Sequence, residues 1–184
     1  KGKQYIRFAV DGAKRMREII LDLLEFSRVG NINESKKLVN LTELAQEAIT
    51  LNKKSIQERQ AQIHLSPLPE APCHPNSLIQ VFHNLISNAI KYQIPGNRPE
   101  ISIDFMDKGE FWQLSIKDNG IGIGKEYLDK IFMIFQRLHQ KEQYSGSGIG
   151  LSICKKIVEF HGGTIWAESD GEHGTTFFFT LKKQ

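Results

Sequence analysis

Apolar residues fall along the chain in two rhythms, and the switches between them mark out the elements. From Tyr5 to Val29, Ala9, Ala13, Met16, Ile20, Leu23 and Ser27 alternate by four and three, with Ile6, Ile19, Leu24 and Phe26 widening the apolar face. The spacing predicts a helix with a heptad-like seam. Three heptads are too few to hold a helix alone, so the seam calls for a hairpin mate, a second copy of the chain, or packing on the chain's own globular part. Gly30-Asn31-Ile32-Asn33 stops the helix, and the polar run to Lys37 reads as a linker. Leu38 to Leu41 then predicts a short strand, with Thr42 as the N-cap of a helix whose inner face is Leu44, Ala48, Leu51 and Ser55 and which ends near Arg59. Ile63 and Leu65 alternate as a strand, and the Pro-rich run from Pro67 to Pro75 reads as a turn. Pro75 opens a helix that buries Leu78, Val81, Phe82, Leu85, Ala89 and Ile90.

Alternation returns beyond the Pro95–Pro99 break. Ile101, Ile103 and Phe105, then Trp112, Leu114 and Ile116, predict an antiparallel hairpin turning at Asp107-Lys108-Gly109. Residues 127–138 read as a helix with Leu128, Ile131, Phe132 and Phe135 inward, and the polar segment 139–145 as a loop. A helix with Ile153, Cys154, Ile157, Val158 and Phe160 follows, stopped by Gly162-Gly163; His161 suits its C-terminus. The last hairpin joins 164–168 to 175–181, with Phe177 and Phe179 on one face and Phe178 on the other.

Composition narrows the class. The 184 residues, 40% of them hydrophobic, suffice for one good-sized core plus an appendage. No apolar run reaches the ~18 residues a membrane span needs, so no membrane contact by this segment is expected. Cys73 and Cys154 lack ligand spacing, which argues for a reducing, cytoplasmic setting and against zinc. A net charge of +3 spread over short pairs such as Lys155-Lys156, with no basic-aromatic stripe, argues against nucleic acid as a ligand.

Candidate chemistry sits in three places. On the helix after Pro75, Asn84, Asn88, Lys91 and Tyr92 fall at i, i+4, i+7 and i+8. That stripe is either a solvated face or a set of carbonyl oxygens for a hard cation, a charge for a phosphate and a flat ring for a base. Two Asn inside a helix, where Asn is a poor former, favour looking further. The run Asp118-Asn-Gly120-Ile-Gly122-Ile-Gly124 at a strand end is a turn by default, but its alternating glycines allow close backbone approach to something flat while Asp118 accepts a hydrogen bond. Gly146-Ser-Gly148-Ile-Gly150 opens a helix and leaves N–H groups at the positive end of its dipole, a place for phosphates. Neither a dinucleotide fingerprint nor a P-loop fits these glycines.

In this order, the asparagine helix, Asp118–Gly124, Ile131-Phe-Met-Ile-Phe-Gln-Arg137-Leu-His and Gly146–Leu151 resemble the four boxes of the ATP-binding domain of sensor histidine kinases, of the phytochrome-type and multi-sensor branch. Residues 1–30 are similar to the second helix of that family's dimerisation and phosphotransfer hairpin, leaving 31–37 as linker and 38–184 as the catalytic domain. The resemblance implies a two-layer α/β (α+β) sandwich shared with gyrase and chaperone ATPases, its mixed sheet packed on helices. Its cofactors would be ATP and Mg2+. Asn88 would hold the metal with help from Asn84, Lys91 and Arg137 would meet phosphate, and Tyr92 would lie near the adenosine. Asp118 would accept from the adenine amine, Gly120 and Gly122 would give clearance, and Gly146, Gly148 and Gly150 would wrap the phosphates. Thr175 or Thr176 would support the adenine. Implied partners are the phosphoacceptor hairpin, a response regulator and a second copy through the N-terminal helix.

Two departures stand out. His74 occupies the position before Pro75 where the family places Asp, which predicts a weaker helix cap. None of the six histidines is followed by Asp or Glu as a family acceptor is, so the implied acceptor lies outside this sequence. A hydrolytic ATPase reading meets the obstacle that Asn84 stands where those enzymes carry a Glu, and an amide is no general base. A non-enzymatic dimerisation module with a decayed site is the third reading, and the intact polar positions argue against it.

Overall fold

The computed structural model describes residues 2–29, 35–136 and 147–183. Helix α1 (Gly2–Arg28) leads to β1 (Lys37–Asn40), α2 (Leu41–Leu51), α3 (Lys53–Arg59), β2 (Gln62–Leu65) and β3 (Glu70–Cys73). Then come α4 (Pro75–Lys91), β4 (Glu100–Lys108), β5 (Phe111–Asp118), 3-10 turns at Lys125–Tyr127 and Lys130–Phe132, α5 (Gly150–Phe160), β6 (Ile165–Glu168) and β7 (Thr176–Lys182). A five-stranded sheet has the order β2-β4-β5-β7-β6. Strand β2 runs parallel to β4 and the other pairs are antiparallel, so the sheet is mixed as expected.

Strand alternation sends Ile101, Ile103, Leu114, Ile116, Phe177 and Phe179 to one face, all buried. Onto that face pack α4 and α5, with Phe82 meeting Phe179 edge to face at a centroid distance of 5.7 Å. The expected stripe of α4 is buried throughout, and α2 covers its far side with Leu41, Leu44, Ala45 and Ala48. One layer of helices on one layer of sheet is the sandwich the resemblance implied. Phe178 faces outward and stacks on Trp166 at 5.2 Å.

Four local readings change. Asn40, not Thr42, caps α2: its Oδ1 accepts from Thr42 N–H at 2.9 Å, while the Thr42 hydroxyl accepts from Leu68 N–H at 2.8 Å. The helix expected to reach Arg59 breaks at Asn52, which turns inward and donates to Ala48 O at 2.9 Å; the break rotates Leu51 and Ser55 out to solvent. The Pro-rich turn contains β3, which pairs with β1 in a two-stranded ribbon where Pro72 faces Leu38. Proline is tolerated there because the ribbon is all edge. Of the helix expected over 127–138, the described part to Gln136 holds only 3-10 turns, and Phe135 there has φ 65° and an exposed ring.

At the junction of β3 and α4 the expected weaker cap is seen, and a second histidine is engaged there. His74 caps α4 without a side-chain bond; its backbone N–H donates to His161 Nε2 at 3.0 Å. Since Nε2 accepts, the His161 proton sits on Nδ1, which donates to Ile157 O at 2.7 Å. His161 therefore closes α5 as a neutral ring, and burial pushes its pKa down to about 4 from 6.5. The folded value lies below the unfolded one, so the contribution is whole above pH 6.5 and is lost as pH falls toward 4, because only the unfolded chain takes up the proton. Between pH 7 and 4.5, urea titrations should show the wild type losing up to ~3 kcal/mol relative to His161→Gln.

Candidate functional site

The end of α4, the end of β5 with residues 119–124, the second 3-10 turn, the start of α5 and the start of β7 converge on one cleft of about 590 Å3. Asn88, Tyr92, Asp118, Gly122 and Thr175 give its polar wall. Ile121, Ile123, Ile131, Leu151 and Phe177 give the apolar one, a set that suits a flat heterocycle. Ile121 and Ile123 alternate with the glycines of 120–124, so the sequence itself carries the signal for this apolar wall.

Asp118 is held where β5 ends beside β7. Its Oδ1 accepts from Gly120 N–H at 2.8 Å and Thr175 N–H at 3.2 Å, and Asp118 N–H donates to Thr175 O at 2.9 Å. One carboxylate oxygen is thus committed to the backbone, and the other is left for a ligand donor. The group is 8% exposed, and burial pushes its pKa up to about 6 against the two bonds that pull it down. A buried carboxylate without a cation is a cost the fold carries, as binding sites do.

The close approach that the glycines permit is to the chain itself. A Cβ on Gly120 would lie 2.2 Å from Tyr92 O, and one on Gly122, whose φ is 72°, 2.7 Å from the backbone of Gly171 and Glu172.

A second hollow of about 1350 Å3 continues the cleft and shares Asn88, Tyr92 and Leu151 with it. Asn84, Lys91, Gly148 and Gly150 line it, so helical spacing does bring the asparagine stripe and the glycines of α5 together. Asn84 Nδ2 donates to Gly150 O at 3.3 Å, tying α4 to the first turn of α5. Lys91 Nζ donates to Tyr92 Oη at 2.9 Å and lies 4.3 Å from that ring. The Asn88 side-chain amide lines both hollows and makes no hydrogen bond among the described residues. No group of three or more His, Cys, Asp or Glu among the described residues is placed to hold a metal; a Mg2+ ion would take the Asn88 oxygen together with phosphate and water oxygens, a donor set this cation accepts.

Of the other expected residues, Thr176 does not line the cleft but a separate hollow with Lys117 and Lys125. Arg137 and Gly146 lie outside the described residues, as does the segment 139–145. Asp22, Glu25, His83 and Ser147 line the second hollow and were not expected. For Asp22 and Glu25 no sequence signal existed, since nothing in a helix pattern tells which distant element its polar side will face.

The family model described as Histidine kinase-, DNA gyrase B-, and HSP90-like ATPase matches residues 73–184. Cyanobacterial phytochrome A of Nostoc sp. is 40% identical over 178 residues, covering 97% of this chain and 23% of its own length. The chain thus spans about a quarter of the curated relatives it matches. Among solved structures, the catalytic domain of histidine kinase ThkA aligns with a TM-score of 0.68 at 29% identity, covering 82% of this chain and 97% of that one. ThkA in complex with the response regulator TrrA aligns with a TM-score of 0.73 at 27% identity over 100% of this chain and 52% of that one.

Proposed function

The chain belongs to the histidine kinase-, DNA gyrase B-, and HSP90-like ATPase family, and on that premise we propose that its cleft binds Mg-ATP and presents the γ-phosphoryl to a histidine on a phosphotransfer hairpin. The observation that carries this reading is the cleft lined by Asn88, Tyr92, Asp118, Gly122 and Thr175 and walled by Ile121, Ile123, Ile131, Leu151 and Phe177. Asp118 accepts from the adenine amine, the isoleucines sandwich the ring, and Asn88 holds the metal. Lys91 exchanges the Tyr92 hydroxyl for a phosphate oxygen. The metal, when bound, neutralises charge between phosphates, and the chain's own part is positioning.

The similarity to sensor kinases over nearly the whole chain supports the kinase reading over hydrolysis. Asn84 adds to it, because its amide is engaged with Gly150 and has no basic lone pair for activating water. A response regulator would take the phosphoryl group onward, and ThkA, whose structure is known with TrrA, gives the precedent. The exposed Ile6, Met16, Ile20 and Leu23 of α1 fit a hairpin mate and a second copy. Gly146, Gly148 and Gly150 would wrap the phosphates, and Arg137 would contact them. No helix among the described residues is long and apolar enough to cross a membrane.

Calorimetric titration with Mg-ATP should saturate at one site, and Asn88→Ala should weaken it by ~10- to 100-fold in Mg2+ while leaving the affinity for metal-free adenosine unchanged. Labelled ATP with an acceptor hairpin should label its histidine. Release of phosphate to water with no labelled histidine would favour the hydrolytic reading.

A further inference from the structure

We propose that α1 is a charge gate on the phosphate end of the cleft: seated on α5, it holds Asp22 and Glu25 where the anion must go, and Mg-ATP binds tightly only as it moves away. The inference rests on the reading of the cleft as a Mg-ATP site. Asp22 and Glu25 lie three apart on one face of α1, and both line the hollow that holds Asn84, Asn88, Lys91 and Gly148. Asp22 Oδ2 accepts from the Ser147 hydroxyl, and Ser147 Oγ in turn accepts from Ile149 N–H at 3.3 Å, one residue before α5 begins. A carboxylate of the chain is therefore bonded through one hydroxyl to the positive end of α5, where a phosphate is expected.

The seat is built from contacts outside the cleft. Lys156 Nζ donates to Phe26 O at 2.7 Å and lies 4.4 Å from the Phe26 ring, and Val29 is buried in the core. Among the described lining residues of this hollow Lys91 is the one lysine or arginine, Arg28 on α1 also acts on Glu25, and burial lowers the pKa of His83. The Glu25 pKa is raised first by partial burial and then by Asp22, with Arg28 pulling it back down. Incoming phosphates meet like charge as long as the helix stays seated, and any signal that shifts α1 removes both carboxylates at once.

The test is titration of the whole chain with Mg-ATP, Mg-ADP and adenosine, for the wild type, Asp22→Asn and Asp22→Asn/Glu25→Gln. Mg-ATP should tighten by ~5- to 10-fold, Mg-ADP by less, and adenosine not at all, since the repulsion scales with phosphate charge. Lys156→Ala, which loosens the seat without entering the cleft, should tighten Mg-ATP as well and guards against a folding defect in the acidic variants. Tightening in neither variant, with adenosine still bound, overturns the gate and leaves the ATP site standing. Weaker Mg-ATP in Asp22→Asn also overturns it and assigns the carboxylates to the metal. Chains that bind neither adenosine nor Mg-ATP overturn the cleft reading itself.

Discussion

Asp118→Asn should stabilise the unliganded fold by about 1–3 kcal/mol at pH 7 and weaken adenine-nucleotide binding by about 100- to 1,000-fold. The first half follows from the acid's position. An amide keeps an oxygen for Gly120 N–H and Thr175 N–H but carries no charge to desolvate. The folded pKa of about 6 stands above the ordinary 3.8 because of burial, so the folded chain binds the proton more tightly than the unfolded one. The penalty Asp118 imposes on the wild type therefore shrinks as pH falls from about 6 toward 3.8, and the advantage of the variant is full above pH 6 and gone below pH 4. The second half follows from polarity, since the new NH2 would confront the adenine amine donor to donor in a site closed to water. Wild-type affinity should fall in step with protonation below about pH 6, and titrations in buffers of different ionisation enthalpy near that pH should reveal a released proton. A variant less stable than the wild type at pH 7, or one that binds ATP equally well, would remove Asp118 from the adenine site.

Much of the site follows from the sequence through local periodicity alone. Where a residue's neighbourhood is fixed by local periodicity, the pattern suffices: Asn84, Asn88 and Lys91 share a stripe because a helix repeats every 3.6 residues, and Phe177 and Phe179 share a face because a strand repeats every two. Where long-range partners decide, the pattern fails. Asn52 looks like one more polar position on a continuing helix, yet its amide finds Ala48 O and the His83 ring and stops the helix there. Thr42 has the chemistry of a cap, but Leu68 claims its hydroxyl and Asn40 takes the task. Strand β3 is hidden in prolines because its ladder consists of a single partner, β1.

Asp22 marks the same boundary within the site. Helical spacing predicts a polar side of α1 and says nothing about Ser147, 125 residues away in sequence. The resemblance supplied roles for α4, the glycines and Asp118, and assigned α1 to another structural unit. Only the packing of α1 on α5 through Lys156 brings its acids to the cleft.

Gly120→Ala should lower stability by at least ~3 kcal/mol and abolish nucleotide binding, whereas Gly109→Ala should cost about 1–2 kcal/mol and leave binding intact. The second glycine has φ 73° with nothing within 4 Å of a built Cβ, so a methyl there meets left-handed strain and no neighbour. The first has no such φ, and its problem is space: the methyl would lie 2.2 Å from Tyr92 O and 2.8 Å from Asp118 Oδ1. Neither atom can retreat freely. Tyr92 O accepts from Ile121 N–H at 3.1 Å, closing the end of α4 onto the turn, and Asp118 is pinned from the other side by Gly174, where a Cβ would come within 2.0 Å of Asp118 O. Relief requires the end of β5 to part from the end of α4, which separates the ring of Tyr92 from the carboxylate of Asp118, the two walls between which an adenosine would lie. Urea denaturation of both variants and calorimetric titration with Mg-ATP measure the contrast, and equal, mild effects at the two glycines would show that the strand end and the helix end do not bear on each other.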